Sequence, residues 1–332
     1  DNANGLRVVA NDTSTIAGLS TDTVAFESTD DAGVFEANDD ATIEDLTFTT
    51  SGFNQSGGTG LSLLANGDSD VRNVSLDTVD ARDNTNGLRV VANDTSTISN
   101  LSTDTIAFSS TDDAGVFEAN DDATIADLDF ELTGFNESGE TGLALLADGG
   151  QVQNVSLDTV IAGGNTVGMN LTADDGGRIA NLSTELALFN DNTDAIRIGA
   201  RNGAVIEDVR VFQVAINGST NGIVLDGDGG TYDRVRFVQT LIQDNDVGVV
   251  VTPETGPEGI QVKRSLIANN SVGVDNQNGT GVLDARYNWW GDSGGPSSPV
   301  HPNAPFADPV NGKLAIGDGD SVSEGATPGV SN

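Results

Sequence analysis

The residues best suited to chemistry stand in the segment Asp226–Asp233, whose sequence is DGDGGTYD. Oxygen ligands alternate with glycines there, as they do in loops that bind calcium. We therefore predict a candidate calcium site at Asp226, Asp228 and Asp233. The segment lacks the bidentate glutamate that usually completes such a loop. A second interpretation, in which these are turn aspartates that keep the protein soluble in salt, stays open.

Paired carboxylates are the second group that could carry out acid/base chemistry. Asp-Asp pairs recur at positions 30–31, 39–40, 112–113, 121–122 and 174–175. Four of these pairs are copies inside a repeated segment, and a catalytic site does not need copying, whereas a solvated turn tolerates it. The chain has no cysteine and a single histidine, His301, so thiol catalysis and thiolate metal sites are excluded.

The composition limits the elements that can position these residues. Asp and Glu number 51 against 14 Lys and Arg, which gives a formal net charge of −37. Such a polyanion repels nucleic acid, and no apolar run is long enough to span a membrane. Apolar residues make up only 36 % of the chain, which is typical of disorder unless they follow a pattern. The excess of Asp over Glu and of Arg over Lys resembles the proteins of extreme halophiles.

The pattern is a nested repeat. Residues 4–85 and 86–166 are near copies, so that NGLRVVANDTST begins at both Asn4 and Asn86. A shorter period of 25–28 residues runs through both copies and beyond them. It is marked by pairs of a small and an aliphatic residue at Gly5-Leu6, Gly33-Val34, Gly60-Leu61, Gly87-Leu88, Gly115-Val116, Gly142-Leu143, Gly168-Met169, Ala195-Ile196, Gly222-Ile223, Gly248-Val249 and Gly273-Val274. Repeats of this length stack into solenoids, because one repeat cannot bury its apolar side alone.

A second column of the repeat, which we call the bend column, holds Gly, Asn or Asp between aliphatic residues, the mark of a positive φ. Its members are Gly18, Asp45, Asn73, Asn100, Asp127, Asn154, Asn181 and Asp208, with Arg234 as a late exception. We interpret Asn73, Asn100, Asn154 and Asn181 as a structural ladder of stacked amides. Short alternating segments such as Leu88–Ala92 flank the bends, which predicts β-strands and not helices.

The period, the bend column and the inward aliphatic ladders resemble the right-handed parallel β-helix proteins of the pectate-lyase-like superfamily. We therefore predict an all-β fold, a right-handed parallel β-helix of about 10–11 coils of ~27 residues, over residues 1–290. The duplicated unit of 82 residues supplies three coils twice, and residues 167–290 form divergent coils. Residues 291–332 are predicted to form a C-terminal cap and a tail rich in Pro and Gly.

The superfamily includes lyases, hydrolases, adhesins and virus fibres, so the resemblance leaves the activity open. Its hydrolases pair aspartates with a histidine, whereas His301 lies in the Pro-rich tail. Its lyases combine calcium held by aspartates with an arginine base. Arg197, Arg201 and Arg236, together with the aspartates of DGDGGTYD, form the cluster that comes nearest to such a set. The alternative is that these residues are solvated surface and ladder positions.

Twelve Asn-x-Ser/Thr sequons occur, and those on loops of a secreted chain would accept glycans. Asn54 and Asn136 are the strongest candidates, because they lie in duplicated longer turns that we expect to bulge from the rod. The other candidates are Asn11, Asn93, Asn217, Asn269 and Asn278.

The two ends of the solenoid differ. The element Tyr287–Gly291, followed by Gly-Gly-Pro, resembles the closing motif of secreted parallel β-helix proteins of the haloarchaeal type. We predict that Trp289 and Trp290 cover the last coil. The segment Gly317–Asn332 is expected to be an exposed tail or to dock elsewhere. The first coil has no polar lid, so we expect either upstream coils or another chain to cover it.

These features favour a non-catalytic structural protein, located outside the cell or on its surface. It would be a rigid rod that assembles head-to-tail into a filament, or an adhesin or spacer. We expect self-association, with a polysaccharide or cell-surface partner as a further option, and neither nucleic acid nor a membrane span. Calcium is the cofactor that the sequence suggests. The alternatives are a calcium-dependent polysaccharide lyase or carbohydrate-binding β-helix, and a virus fibre or tailspike.

Overall fold

The computed structural model describes residues 4–278, 281–292, 296–297, 306–307, 314–315, 319–324 and 330–331. His301 lies outside the described residues. All regular elements in this part of the chain are β-strands. Within the described ranges there is no helix with the length and hydropathy that a membrane crossing needs.

Successive coils stack in parallel, and their first face is one sheet of thirteen strands. The register repeats from coil to coil, with Leu6 opposite Gly33 and Leu61 opposite Leu88. In stacking order, the strands of the first face are Leu6–Ala10, Gly33–Asn38, Thr59–Asn66, Asn86–Ala92, Gly115–Asn120, Thr141–Asp148, Val167–Asp174, Asp194–Ala200, Asn221–Leu225, Val247–Val251, Val272–Asn276, Gly319–Glu324 and Pro296–Ser297.

The second and third faces belong to one sheet of 22 strands, because Thr97–Ser110 and Thr124–Phe135 run through the corner between them. The strands of the second face are Thr15–Ala17, Ser20–Asp22, Thr42–Thr49, Asp70–Asp77, Thr97–Ser110, Thr124–Phe135, Gln151–Asp158, Arg178–Glu185, Val205–Phe212, Thr231–Asp233, Val235–Val238, Ile260–Lys263, Leu283–Asp284 and Val330–Ser331. Those of the third face are Ala25–Phe26, Gly52–Phe53, Asp80–Asn84, Ile161–Gly163, Leu188–Asn190, Ala215–Asn217, Leu241–Gln243 and Leu266–Ala268. Phe306–Ala307 and Leu314–Ala315 form a separate antiparallel pair.

Positive-φ residues occupy the corners of each coil. In the bend column φ lies between 52° and 57° from Asp45 to Arg234. A second corner, between the second and third faces, also has positive φ, although its residues are mostly not Gly, Asn or Asp. We call it the threonine corner, and in the described chain it occurs eleven times, at Thr23, Thr50, Thr78, Thr105, Leu132, Thr159, Leu186, Gln213, Gln239, Arg264 and Tyr287. The predicted parallel β-helix of about 10–11 coils is therefore confirmed.

The two copies of the repeated unit pack their cores alike. In the first copy the rings of Phe35 and Phe48 meet edge to face at 5.2 Å, and in the second Phe117 and Phe130 meet at 5.2 Å. Edge-to-face contact suits the quadrupoles of aromatic rings. The side chains of all four are fully buried. The copies are joined without a break, because Leu63 in the last coil of the first lies opposite Val90 in the first coil of the second.

A ladder of buried asparagines, which we call the inner ladder, lines the corner between the third and first faces. Asn192 shows the pattern, since its Oδ1 accepts the N–H of Asn165 at 2.9 Å and its Nδ2 donates to the carbonyl of Ala162 at 3.0 Å. The N–H of Asn192 in turn donates to the Ser219 Oγ of the next coil. The other members are Asn84, Asn165, Ser219, Asn245 and Asn270. The ladder satisfies corner backbone groups that are shielded from water.

The inner ladder explains the small residue that precedes each aliphatic one in the repeat. A Cβ at Gly168 would lie 2.5 Å from the carbonyl oxygen of Ala195 and 2.9 Å from Asn192 Nδ2. At Gly60 the corresponding Cβ would lie 2.6 Å from Asn84 Nδ2. Close approach of stacked coils, and not a turn, therefore selects glycine in these coils.

The C-terminal residues extend the rod. Strand Gly319–Glu324 pairs with Val272–Asn276, and Val330–Ser331 pairs with Leu283–Asp284. The carboxylate of Asp320 accepts the N–H and the side-chain amide of Asn270, at 3.0 and 2.7 Å, and so ends the inner ladder. This part of the predicted tail docks on the last coil as a further coil and is not an exposed tail.

Replacing Asn192 with alanine should lower the free energy of unfolding by about 1–3 kcal/mol for each of the two buried groups that lose a partner, the Asn165 N–H and the Ala162 carbonyl. Asn190 is the matched control, because it lies two residues earlier and its side-chain amide donates only to the exposed carboxylate of Asp191. Denaturant unfolding at equilibrium measures both variants. Equal losses for Asn192→Ala and Asn190→Ala would contradict the role of the inner ladder.

Candidate functional site

The arginines and aspartates of the predicted cluster lie on two different faces. On the first face, Arg197 and Arg201 both contact the carboxylate of Asp226, at 3.6 and 3.0 Å. Arg197 also pairs with Asp194 at 3.1 Å. Asp226 follows the strand of the next coil, so these ion pairs tie two coils of the same chain together.

On the second face, Arg234 is the centre of a chain of ion pairs. Its guanidinium contacts Asp233 and lies 2.5 Å from Asp208 and 3.6 Å from Glu207. Glu207 also binds Arg178, at 2.6 Å. The hydrogen bond from Arg234 lowers the pKa of Asp208, and the same bond raises the pKa of Arg234. The carboxylate stays ionised and the arginine protonated near neutral pH, so this group ties coils together and does not suit acid/base chemistry.

The three aspartates of the predicted calcium site are not gathered. Asp226 is held by arginines on the first face and Asp233 by Arg234 on the second, while Asp228 is exposed between them. Among the described residues, one group of three carboxylates has oxygens within 4.8 Å of one another, and Asp226, Asp228 and Asp233 do not belong to it. This donor set does not fit a calcium ion, which needs six or more oxygens around one point.

The carboxylates that do come together are Asp112, Asp113 and Glu140. Asp113 accepts the N–H of Thr141 at 2.8 Å, which holds it at the start of the strand. The charges of Asp112 and Asp113 raise the pKa of Glu140. The first copy of the repeat has Gly58 at the position of Glu140, so a comparison of the two copies could have indicated this group. Its oxygens are ligands of the kind that calcium prefers.

The two strongest glycan candidates are only half-buried, but their side chains are engaged. Oδ1 of Asn54 and of Asn136 accepts a backbone N–H of the next coil, at 2.7 and 3.0 Å. The serines of both sequons, Ser56 and Ser138, are buried. Glycan attachment at these turns stays a prediction.

The other candidate sequons occupy varied environments. Asn11 and Asn93 belong to a stacked amide ladder at the end of the first face, with Asn93 Nδ2 donating to Asn66 at 2.8 Å. Asn278 is buried, and its Nδ2 donates to the carbonyl of Pro253. Asn217 is half-buried at the end of a strand of the third face, and Asn269 is exposed at a corner.

The asparagines of the bend column stack through their side chains. The amides of Asn73, Asn100, Asn154 and Asn181 each donate to the bend residue of the preceding coil, at 2.9, 3.2, 2.9 and 3.1 Å. Their Nδ2 atoms are therefore engaged along the rod axis.

The two tryptophans at the end of the third face point in opposite directions. Trp290 is buried and packs on the core, and its ring would lie 3.2 Å from a Cβ placed at Gly273. Trp289 continues the third face, because its N–H donates to Ser265 and its carbonyl accepts from Ile267. The Trp289 side chain is 50 % exposed, so Trp290 covers the last coil and Trp289 faces outward.

Sequence reasoning missed an apolar row on the outside of the third face. Register pairs connect its outward residues, which we call the apolar stripe: Ile161, Leu188, Ala215, Leu241, Leu266 and Trp289. Ile161 and Trp289 are 42 % and 50 % exposed. Their inward neighbours, such as Ala162 and Phe189, are apolar as well. A short run that is apolar on both sides looks like a fully buried strand in the sequence.

No known protein-family profile matches this chain, and no curated protein matches it. Among solved structures, it is similar to the A-module of a mannuronan C-5 epimerase from Azotobacter vinelandii, with a TM-score of 0.47 and 14 % sequence identity. The alignment covers 85 % of this chain and 86 % of that module.

The exposed Glu140 offers a test of the carboxylate group. Its raised pKa means that Asp112 and Asp113 repel the charged form, so this repulsion destabilises the fold above the pKa and is relieved as pH falls. Glu140→Gln should therefore raise the melting temperature slightly at pH 7 and low ionic strength, and the gain should vanish under acid conditions.

Glu137→Gln serves as the control, because Glu137 is exposed in the same coil. Differential scanning calorimetry at several pH values measures both variants. A loss of stability in Glu140→Gln at pH 7 would contradict the predicted repulsion.

Proposed function

We propose that this chain is a non-catalytic structural rod that works outside the cell or on its surface and makes end-to-end contacts with further copies. The observation that carries the proposal is the unbroken register of the first face through the duplicated unit, with Leu61 opposite Leu88 and Leu88 opposite Gly115. The duplication thus lengthens the rod by three coils and keeps its cross-section.

The charged residues support the same proposal. The arginines that would serve a lyase, Arg197 and Arg201, bind carboxylates of the neighbouring coil. The ion pairs of Arg72 with Glu44 and of Arg7 with Glu36 also bridge coils, at 2.6 and 2.7 Å. Exposed pairs are each worth about 0–1 kcal/mol, so their effect comes from repetition along the rod.

The first described coil supports contact at that end. Leu6, Val8 and Ile16 are only partly buried and pack against the core. The edge of a β-coil accepts another coil by strand pairing. In this proposal the coil comes from a further copy of the chain, which gives a heterologous contact and an open polymer.

Val8→Asp should prevent end-to-end assembly, because it places a carboxylate on the inward side of the first coil. Val9→Asp is the matched control, since it introduces the same charge on the outward side of the same strand. Electron microscopy and sedimentation velocity in about 1 M salt, which screens repulsion beyond ~3 Å, measure rod length.

The unchanged chain and Val9→Asp should form rods several chains long, and Val8→Asp should form rods no longer than one chain. If the unchanged chain stays monomeric at high concentration in high salt, end-to-end assembly is wrong. A parallel trimer would instead favour a virus fibre.

An assay on acidic polysaccharides with calcium tests the non-catalytic character of the rod. We expect no new unsaturated ends and no change in sugar configuration. Activity that is lost in Arg201→Ala and kept in Arg89→Ala, a control from another ion pair of the first face, would replace the proposal with an enzyme.

A further inference from the structure

The edge of the rod at the threonine corner changes its charge along the axis. The residues just before the corner lie opposite one another from coil to coil. In stacking order they are Asp22, Thr49, Asp77, Asp104, Glu131, Asp158, Glu185, Phe212, Val238 and Lys263. Six of the first seven are acidic, and the last three are apolar or basic. The edge therefore has an acidic half and an apolar and basic half.

The next outward column of the second face changes from mostly serine, with Asp129 as its acidic member, to arginine. Ser102 lies opposite Asp129. Arg210 lies three coils after Asp129, and Arg236 lies opposite Arg210 in the coil after that. Arg210 stacks on the ring of Phe212, with its guanidinium carbon 4.1 Å from the ring centroid. Among the ion pairs of the described residues, none involves Arg210, Arg236 or Arg264, all of which are exposed. In a chain of net charge −37, such a basic patch indicates a specific acidic partner surface.

Two leucines of the threonine corner are exposed to solvent. Leu132 and Leu186 are 56 % and 57 % exposed, with φ of 44° and 55°. A bulky side chain is rare at positive φ and strained there. Thr105 and Thr159 occupy the same corner in the neighbouring coils, and their hydroxyls bond the preceding aspartates. Leucine gives up that bond and exposes an apolar side chain, which a contact with another molecule would offset.

Two grooves flank the edge in its acidic half. On the second face a groove of about 350 Å³ is lined by carboxylates of Asp77, Asp104, Asp129 and Glu131. On the third face a groove of about 320 Å³ is lined in part by Val79, Ala107 and Leu132. The first groove suits cations, and the second is lined by apolar side chains together with the ion pair of Asp80 and Arg82. The other half of the same edge carries the arginines and the apolar stripe.

We propose that two copies of this chain pair side by side and antiparallel along the threonine corner, with the two-fold axis at the coil of Thr159. The spacing of the leucines fits this axis. Leu132 lies one coil before Thr159 and Leu186 one coil after it. The axis therefore brings Leu132 of one copy to Leu186 of the other, and the reverse pair forms as well. An isologous contact requires such self-complementarity.

The same axis matches the charges. It brings Asp104 to Arg210 of the second copy, two coils from the axis, and Asp77 to Arg236 of the second copy, three coils from the axis. Each pair occurs twice, because the contact is symmetric. The centre of the contact is the exception, since Asp158 meets its own copy at the axis and Glu131 approaches Glu185 beside the leucines. This repulsion and the large net charge of both copies make the pairing strongest in high salt.

On the third face the axis sets Leu188 and Ala215 against small residues of the second copy. Leu188 lies one coil beyond Ile161, so it meets Gly134 of the second copy, which lies one coil before Ile161. Ala215 meets Ala107 by the same count, at the groove beside Leu132. A contact about 50 Å long and about 15 Å wide covers roughly 750 Å² on each copy, which is close to what a stable protein dimer buries.

A second copy is favoured over another protein because one chain carries both the acidic half and the apolar and basic half of the edge. The uncharged part of the third face matters here. Of the forty residues at 159–165, 186–192, 213–219, 239–245, 264–270 and 287–291, two are Asp and one is Arg. This surface meets the third face of the coils before Thr159 in the second copy, and it adds few charges to a contact between two chains of net charge −37. The contact is lateral and does not depend on the end-to-end assembly proposed above.

Charge reversal and charge exchange test the pairing. Arg210→Glu with Arg236→Glu should raise the dimer dissociation constant by at least about tenfold, because both symmetric halves lose their matching charges. Adding Asp104→Arg and Asp77→Arg to the same chain should restore the dimer. Arg7→Glu with Arg89→Glu changes the net charge equally on the first face and should leave the dimer intact.

Leu132→Thr with Leu186→Thr should weaken the dimer without loss of fold, because threonine occupies this corner in other coils. Sedimentation equilibrium at about 0.15 M and about 1 M salt measures all variants, with larger effects of charge reversal and exchange expected at the lower salt, because 1 M salt screens exposed ion pairs. Circular dichroism melts verify their folding. Val8→Asp should still form the lateral dimer, which separates this contact from the end-to-end one. The proposal is overturned if the chain that carries Val8→Asp alone is monomeric. It is also overturned if the charge exchange fails to restore the dimer.

Discussion

Stacking of each coil on the next at fixed register is the constraint on which the rest of this structure depends. Parallel strand pairing supplies periodic hydrogen bonds that fix the register along the strands. The inner ladder fixes the register in the same way at the corner between the third and first faces. Asn192 accepts from the coil before and its own N–H donates to the coil after. A shift by one residue would expose the core side of every strand and break this ladder as well. Glycine at positions such as Gly168 follows from the resulting close approach.

Much of the fold was predictable, because positive-φ corners and close contacts between coils require particular residue types. Asp45 and Asn73 indicate positive φ by themselves, and the Gly-aliphatic pairs give the period. The threonine corner was not predictable in this way, since Thr78 and Leu132 adopt positive φ although their types do not suggest it. The inner ladder leaves a faint signal, an Asn or Ser three residues before the Gly-aliphatic pair.

The candidate site was harder to predict because its contacts join residues one coil apart. Asp226 and Asp233 look like neighbours in the sequence, yet a corner places them on different faces, where each meets an arginine. Conversely, Asp113 and Glu140 are 27 positions apart and come together. The same separation hid the charge change along the edge, which appears when Asp104 and Arg210 are placed in their columns.

The last coil has a consequence for the order in which the rod is completed. Strand Gly319–Glu324 lies between Val272–Asn276 and Pro296–Ser297, so the chain leaves a gap that only a later segment fills. Earlier coils can form in turn as the chain emerges from the ribosome, N-terminal part first. The outermost strand gains its neighbour only after residue 319 has been made. Pairing at this end therefore waits for residues 319–324, and a chain that stops before them would leave both neighbouring strands with an open edge.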